Sequence, residues 1–340
     1  MSDSINVKGQ PKMSQEIMTL PDSGNIQETS YKAIITVENL LKRYKKAEKN
    51  AVDNISFSVA SGSLFALLGP NGAGKTTTIS ILTTMLAPTS GIVRIAGYDL
   101  ATQSHAVRRH IGIVFQKPSL DLNLTAEENV RLHATLYGLY PYRPTFRLMP
   151  SAYRNQVRSL AELLGIEESL FKPVKTFSGG MKRKLEIVRS LLHQPDVLFL
   201  DEPTTGLDPE SRRGLWDYLH KVRAESGTTI FLTTHYLEEA EEADGICIIN
   251  RGQIVSSGTP QQIKANLAQS TLLIDAQDRE QLRAELRQYG LSFTEGSLFS
   301  LPLEGQNVHQ LLKKIMTPLS VVQTSTSSLE DAYLRIIKQD

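Results

Sequence analysis

The segment Gly69-Pro70-Asn71-Gly72-Ala73-Gly74-Lys75-Thr76 constrains this chain more than any other. It has the spacing G-x-x-x-x-G-K-[ST] and follows the apolar run Leu64-Phe65-Ala66-Leu67-Leu68. An unbroken apolar run of that length reads as a strand buried on both faces. The glycines let the backbone curl around a polyphosphate with its amides turned inward. A helix expected to begin near Lys75 adds the positive end of its dipole. Lys75 can then reach the β- and γ-phosphates, and Thr76, with Thr77 beside it, offers a hydroxyl to Mg²⁺. The pattern asks for an α/β fold with ATP and Mg²⁺ at the carboxyl edge of a parallel sheet.

Such a loop needs a carboxylate to organise the metal and a group to activate water. The apolar run Val197-Leu198-Phe199-Leu200 delivers Asp201 and Glu202 at a strand end. Asp201 is the expected Mg²⁺ partner and Glu202 the expected general base. Gln116 ends the run Ile111-Gly112-Ile113-Val114-Phe115, where its amide oxygen can reach Mg²⁺ or the attacking water. His235 follows Ile230-Phe231-Leu232-Thr233-Thr234 and reads either as a γ-phosphate contact or as a polar surface residue. Ser178-Gly179-Gly180 precedes a helical run from Lys182 to His193. It reads as an ordinary capped helix start or as a second anion site. One chain already has a phosphate cradle, so a second suggests a site used across a dimer interface.

Around these motifs the chain alternates β and α. Ala33–Val37 and Val52–Val59 read as strands, and Ser211–Ala224 as the crossover helix of a parallel βαβ unit. Residues 117–195 are expected to form a helical subdomain. There Thr125-Ala126-Glu127-Glu128 makes a capping box, Tyr140–Pro150 a loop, and Tyr153–Leu164 a helix. Residues 1–32 are polar and aperiodic and read as a disordered tail. The ATPase domain is expected over 33–264. From 268 to 340 the order changes to a strand at Leu272–Ile274, a helix at Arg279–Gln288, and a hairpin of Leu291–Phe293 with Leu298–Leu301 around Gly296. A helix at Val308–Met316, a strand at Leu319–Thr324 and a last helix from Leu329 complete it. That is a small α+β domain of the split βαβ, ferredoxin-like kind. No internal repeat is visible, so one ATPase core is expected.

Taken in order, these motifs resemble the nucleotide-binding subunit of ABC transporters over roughly residues 33–260. They are Tyr44, Gly69–Thr76, Gln116, Ser178-Gly179-Gly180, Asp201 with Glu202, Gly206-Leu207-Asp208 and His235. The resemblance implies a P-loop NTPase with a helical subdomain. It implies that Tyr44 stacks on adenine and that Ser178 and its glycines hold the γ-phosphate bound to the opposite subunit of a head-to-tail homodimer. Asp208 would shape the dimer seam, and Gln116 would link the site to a membrane permease. The signature Phe177-Ser178-Gly179-Gly180-Met181 departs from the commonest form, which has Leu first and Gln fifth. That variant, together with Lys182-Arg183-Lys184-Leu185-Glu186 and Ser328-Leu329-Glu330-Asp331-Ala332-Tyr333-Leu334, resembles the drug-exporter group that includes daunorubicin-resistance ATPases. Those pair with ABC-2 type permeases. An ATP-hydrolysing subunit peripheral on the cytoplasmic face of the membrane is implied, driving export of a drug, lipid or polysaccharide-like substrate.

Composition narrows the alternatives. A net charge of +1 gives no basic field for nucleic acid. The lone Cys247 lies in an apolar run and reads as a buried hydrophobe, with no internal disulfide possible. The longest apolar candidate for a membrane span, Ile79–Ala96, is broken by Pro88, Gly91 and Arg94, and no secretory leader is visible. A transport role therefore calls for a second polypeptide in the membrane. The main rival, a soluble ATPase of the same family acting on the ribosome, usually carries two ATPase cores or a long coiled-coil insertion. Neither is visible here.

Overall fold

The computed structural model describes residues 32–267, 271–303, 308–325, 329–330 and 333. Its centre is a six-stranded sheet. In spatial order the strands are Gln253–Gly258, Gly245–Asn250, Leu64–Leu68, Thr229–Thr234, Val197–Asp201 and Ile111–Val114. Neighbours run parallel except for the edge hairpin formed by the first two.

Side chains of a strand alternate faces, so each apolar run feeds two cores. Leu64, Ala66 and Leu68 join one cluster with Leu198, Leu200, Ile230, Leu232, Ile246 and Ile248. Phe65 and Leu67 join the other with Val197, Phe199, Phe231, Cys247 and Ile249. Helices cover the first face: Ala126–Leu136, Ser151–Leu163, Gly179–Leu191 and Pro209–Ser226 contribute Val130, Tyr153, Val157, Leu185, Leu215 and Leu219. On the second face lie the helix Lys75–Leu82 and an antiparallel sheet ordered Val52–Ala60, Ala33–Lys42, Ser90–Ile95, Tyr98–Asp99. A chain of rings joins the two sheets. Phe57 stacks on Phe65 at 5.7 Å, Phe65 on Phe231 at 5.4 Å, and Phe199 meets Phe231 at 5.3 Å. Cys247 sits in this layer, where burial pushes its thiol up to about 12.

The helical layer holds together partly through polar groups. Thr125 and Glu128 form the expected capping box, Glu128 N donating to Thr125 Oγ1 at 3.2 Å and Thr125 N to Glu128 Oε2 at 2.8 Å. Tyr153 is fully buried and donates to Glu127 Oε1 at 3.1 Å, while Arg131 lies 3.4 Å from Glu127 Oε2. The expected loop 140–150 contains a 3₁₀ turn, Phe146–Leu148. Phe146 and Met149 are buried and anchor it.

Beyond Leu267 a second antiparallel sheet is ordered Thr294–Glu295, Phe299–Pro302, Thr271–Ala276, Leu319–Ser325. It packs Leu272, Ile274, Phe299 and Leu301 on Leu282 and Leu286 of the helix Arg279–Gln288, in a cluster of its own. Two expectations are corrected here. The first hairpin strand is Thr294–Glu295, not Leu291–Phe293. Gly290 turns left-handed at φ 65° and Leu291 N returns to Leu286 O, so those residues close the preceding helix. The later helix is Val308–Leu312, shorter than 308–316. The Glu285 carboxylate accepts from the amides of Met316 and Thr317 at 2.6 and 2.9 Å and draws the chain out of helical register. Leu329, at the start of the last expected helix, is buried in the helical-face cluster, with Tyr333 against it. The tail read over residues 1–32, apart from Lys32, and the rest of the terminal helix lie outside the described residues. Ile79–Ala96 divides between a helix and a strand, and no helix among the described residues is long and apolar enough to cross a membrane.

Candidate nucleotide-hydrolysis site

Register brings the motifs together. Leu68 pairs with Thr234, Thr233 with Asp201, and Leu200 with Val114. Four parallel strands thus end level, and Gly69, His235, Glu202 and Gln116 emerge along one carboxyl edge.

Packing against neighbouring backbone demands glycine in the phosphate loop. A Cβ on Gly69 would lie 2.3 Å from Ile249 O. One on Gly74, at φ 111°, would lie 2.5 Å from Ala51 O. Pro70 to Ala73 form the bend, with Ala73 N donating to Pro70 O at 3.2 Å and Asn71 and Gly72 exposed. The helix Lys75–Leu82 has no side-chain cap, so its first amides face the loop's concavity. The Lys75 ammonium is buried and donates to Gly69 O at 2.7 Å and Pro70 O at 3.1 Å. Burial lowers its pKa, and Glu202 and Asp201 oppose that shift. Thr76 is exposed in the first turn. Beside it, Thr77 Oγ1 lies 3.3 Å from the hydroxyl of Tyr44, which is 45% exposed. Tyr44 therefore stands next to the loop, with the Lys42 ammonium 5.6 Å from the centre of its ring.

Glu202 is the hub. Its φ of 46° is left-handed, a conformation that costs energy for a residue with a Cβ and is held by the surrounding bonds. Its amide donates to Thr233 O at 3.1 Å. Oε2 accepts from Gln116 Nε2 at 3.0 Å and Thr205 Oγ1 at 3.3 Å. Oε1 lies 3.5 Å from His235 Nδ1 and 3.6 Å from Lys75 Nζ. Next to it, Asp201 Oδ1 accepts from Thr233 Oγ1 at 2.5 Å. Burial raises the pKa of Asp201, and the Thr233 bond pulls it back. Thr76, Asp201 and the amide oxygen of Gln116 are hard oxygen donors of the kind Mg²⁺ takes when phosphates and water complete its shell.

The signature segment is built differently. Ser178 caps the helix Gly179–Leu191 by accepting from Met181 N at 3.2 Å. Ser178 and Gly179 are exposed, whereas a Cβ on Gly180 would lie 2.7 Å from Ser211 Oγ. Ser211 N and Oγ also donate to Asp208, at 2.9 and 2.7 Å, which caps the helix Pro209–Ser226. Met181, where the signature departs from its common form, packs against the helical-face core.

Three contributors escaped the sequence. Thr233 looked like an ordinary strand residue. Thr204 Oγ1 donates to Glu239, a carboxylate only 1% exposed. Arg183 looked like one more cation on a basic helix, yet it is buried and reaches the backbone at Gln116. A buried arginine leaves no mark in a local pattern.

The comparisons bear on family and fold. The sequence model of the ABC transporter family matches residues 52–205. The chain is 34% identical over 306 residues to the daunorubicin resistance ATP-binding protein DrrA3 of Streptomyces coeruleorubidus, covering 88% of this chain and 92% of that one. It is 42% identical over 232 residues to the Nod factor export ATP-binding protein I of Ralstonia nicotianae, covering 68% of each. Among solved structures, an ATP-binding subunit of an ABC transporter aligns with a TM-score of 0.59 at 32% identity, over 68% of this chain and 92% of that one. Another, cbiO1 of Clostridium perfringens, described as part of the ABC transporter complex cbiONQ, aligns at 0.60 and 26% identity, over 76% and 96%. This chain belongs to the ABC transporter family and is one of its ATP-hydrolysing, ATP-binding subunits.

Proposed function

We propose that the chain energises export through a separate permease of the ABC-2 type, working as a head-to-tail homodimer at the cytoplasmic face of a membrane. One observation carries the pairing. Ser178 and Gly179 form an exposed helix start with its amides outward, separate from the loop whose phosphates they suit. In this reading ATP lies on the loop Gly69–Thr77 of one copy, with Tyr44 on its base, and Ser178, Gly179 and Gly180 of the second copy close over the γ-phosphate. ATP favours the closed pair because only that state makes both sets of contacts.

Glu202 takes the proton of a water attacking the γ-phosphate in line, while His235 and Gln116 position that water. Lys75 neutralises charge on the β- and γ-oxygens. Thr76 and Asp201, with the Gln116 amide oxygen, would hold Mg²⁺, which would add further neutralisation there. Loss of the γ-phosphate removes the bridge and the pair opens. The segment between Gln116 and Ser178 passes that motion to the permease. The relatives named for daunorubicin resistance and Nod factor export favour export over a ribosomal role. Residues 33–264 are taken as the ATPase domain and 268–340 as an accessory domain of ferredoxin-like kind. Its separate apolar cluster supports that division.

The test is Mg²⁺-dependent ATP hydrolysis by the purified chain across protein concentrations. Specific activity that rises with concentration, and is lost in Glu202→Gln while ATP still binds, supports two composite sites. Normal turnover in Glu202→Gln would remove the general base from this account.

A further inference from the structure

The strand Ile111–Val114 is the edge of the six-stranded sheet, and beyond it the carbonyls of Phe115 and Gln116 have no ladder partner among the described residues. Backbone acceptors in a part-buried loop need a donor. It comes from the helix that the signature opens. Arg183, 4% exposed, spreads its guanidinium over both carbonyls, Nη1 to Phe115 O at 2.5 Å and Nη2 to Gln116 O at 3.1 Å. Nη1 also reaches Glu186 Oε2 at 3.1 Å. Glu186, fully buried, accepts from Ser119 N through Oε1 at 2.9 Å. One turn on, Arg189 donates to Ser119 O at 2.9 Å and to Ser119 Oγ at 2.5 Å.

Residues 183, 186 and 189 lie three apart and share one helix face. That face grips the loop at both ends, Phe115-Gln116 and Ser119. The Gln116 side chain in turn donates to Glu202 Oε2 at 3.0 Å. A continuous set of bonds therefore runs from five residues past Ser178 to the carboxylate assigned as general base. We propose that Arg183 is a positioning residue: it fixes the backbone of Gln116 so that the Gln116 amide aims Glu202, tying water activation to the position of the signature helix. When Ser178 engages a phosphate on the opposite copy, the helix it caps carries Arg183 and Gln116 with it. This rests on the proposed role of Glu202 with Gln116.

Arg183 meets the two carbonyls with separate nitrogens of one rigid plane while also reaching Glu186, a geometry that the shorter, single-nitrogen lysine does not reproduce. Neutralising Glu186, by contrast, needs only a positive charge. Arg183→Lys therefore separates positioning from structural support, and keeps a cation beside the buried carboxylate so that the chain folds. Turnover and the Kd of a fluorescent ATP analogue are measured for wild type, Arg183→Lys, Gln116→Ala and the double variant. We expect Arg183→Lys to bind the analogue normally and to lower kcat by about ten- to a hundredfold, the scale of an ångström-level misplacement. In the Gln116→Ala background the same substitution should have little further effect, since the two act in series. Normal kcat in Arg183→Lys, or effects that multiply independently in the double variant, would overturn the proposal while leaving the Glu202 reading intact. Normal kcat in Gln116→Ala would overturn the proposal and the water-positioning role given to Gln116, while Glu202 keeps its own test in Glu202→Gln.

Discussion

The two segments proposed to meet phosphate make opposite use of the same device, a glycine-rich entry into a helix. Around Lys75 the loop is enclosed. Its ammonium is buried and bonded to the loop's own carbonyls, and Asp201, Glu202, Gln116 and His235 crowd the same sheet edge. Around Ser178 the helix start is exposed, its serine serving only its own first turn. An enclosed cradle can hold a nucleotide within one chain. An exposed one has to find its anion elsewhere, and that asymmetry makes pairing the simplest account of both.

The largest effects are expected in the enclosed half. Lys75→Ala should abolish measurable ATP binding, read by titration with a fluorescent analogue, because the only buried ammonium in the loop is gone. Glu202→Gln should leave binding intact and lower kcat by about 10²- to 10⁴-fold, the usual share of a general base. With ATP it should elute as a dimer in size-exclusion chromatography. On the exposed half, Gly179→Asp places a carboxylate where phosphate is expected. Among the described residues only Leu207 lies near a Cβ there, at 3.6 Å, so the fold should tolerate it. Binding to the single chain should stay within about twofold, while turnover and ATP-dependent dimerisation are lost; a normal rate would mean that this helix start meets no phosphate.

The smallest effect concerns pH. Burial holds the pKa of Asp201 above its ordinary value, so its ionised form is lost as pH falls through that raised pKa. The Thr233 hydroxyl stabilises the ionised form. Thr233→Val should therefore move the acid limb of the Mg²⁺-dependent rate upward by about one pH unit. An acid limb that stays put or moves downward would show that Asp201 does not set it.

The enclosed half was almost fully legible in the sequence, and the reason is local. Gly69–Thr76 form one continuous segment, and Asp201 and Glu202 follow directly on a buried strand, so spacing alone marks the positions. What the sequence could not show was contact across elements. Thr233 became visible only when its strand registered against Asp201, and Arg183 only when its helix packed over the edge strand at Gln116. The same limit explains the misplaced hairpin strand. Leu291-Ser292-Phe293 has strand-like composition, yet Gly290 spends Leu291 on closing a helix. Position relative to a cap outweighed propensity there, as it did where Glu285 ended the helix at Leu312.

The most direct test of pairing mixes two dead chains. Lys75→Ala spoils every enclosed half and Gly179→Asp every exposed half, so neither homodimer has a working site. In a head-to-tail heterodimer, the intact loop of one chain meets the intact signature of the other. Mixing equal amounts should restore hydrolysis up to about a quarter of the wild-type rate, since half the dimers are mixed and each has one good site of two. A mixture no more active than either variant alone would contradict a site shared between chains.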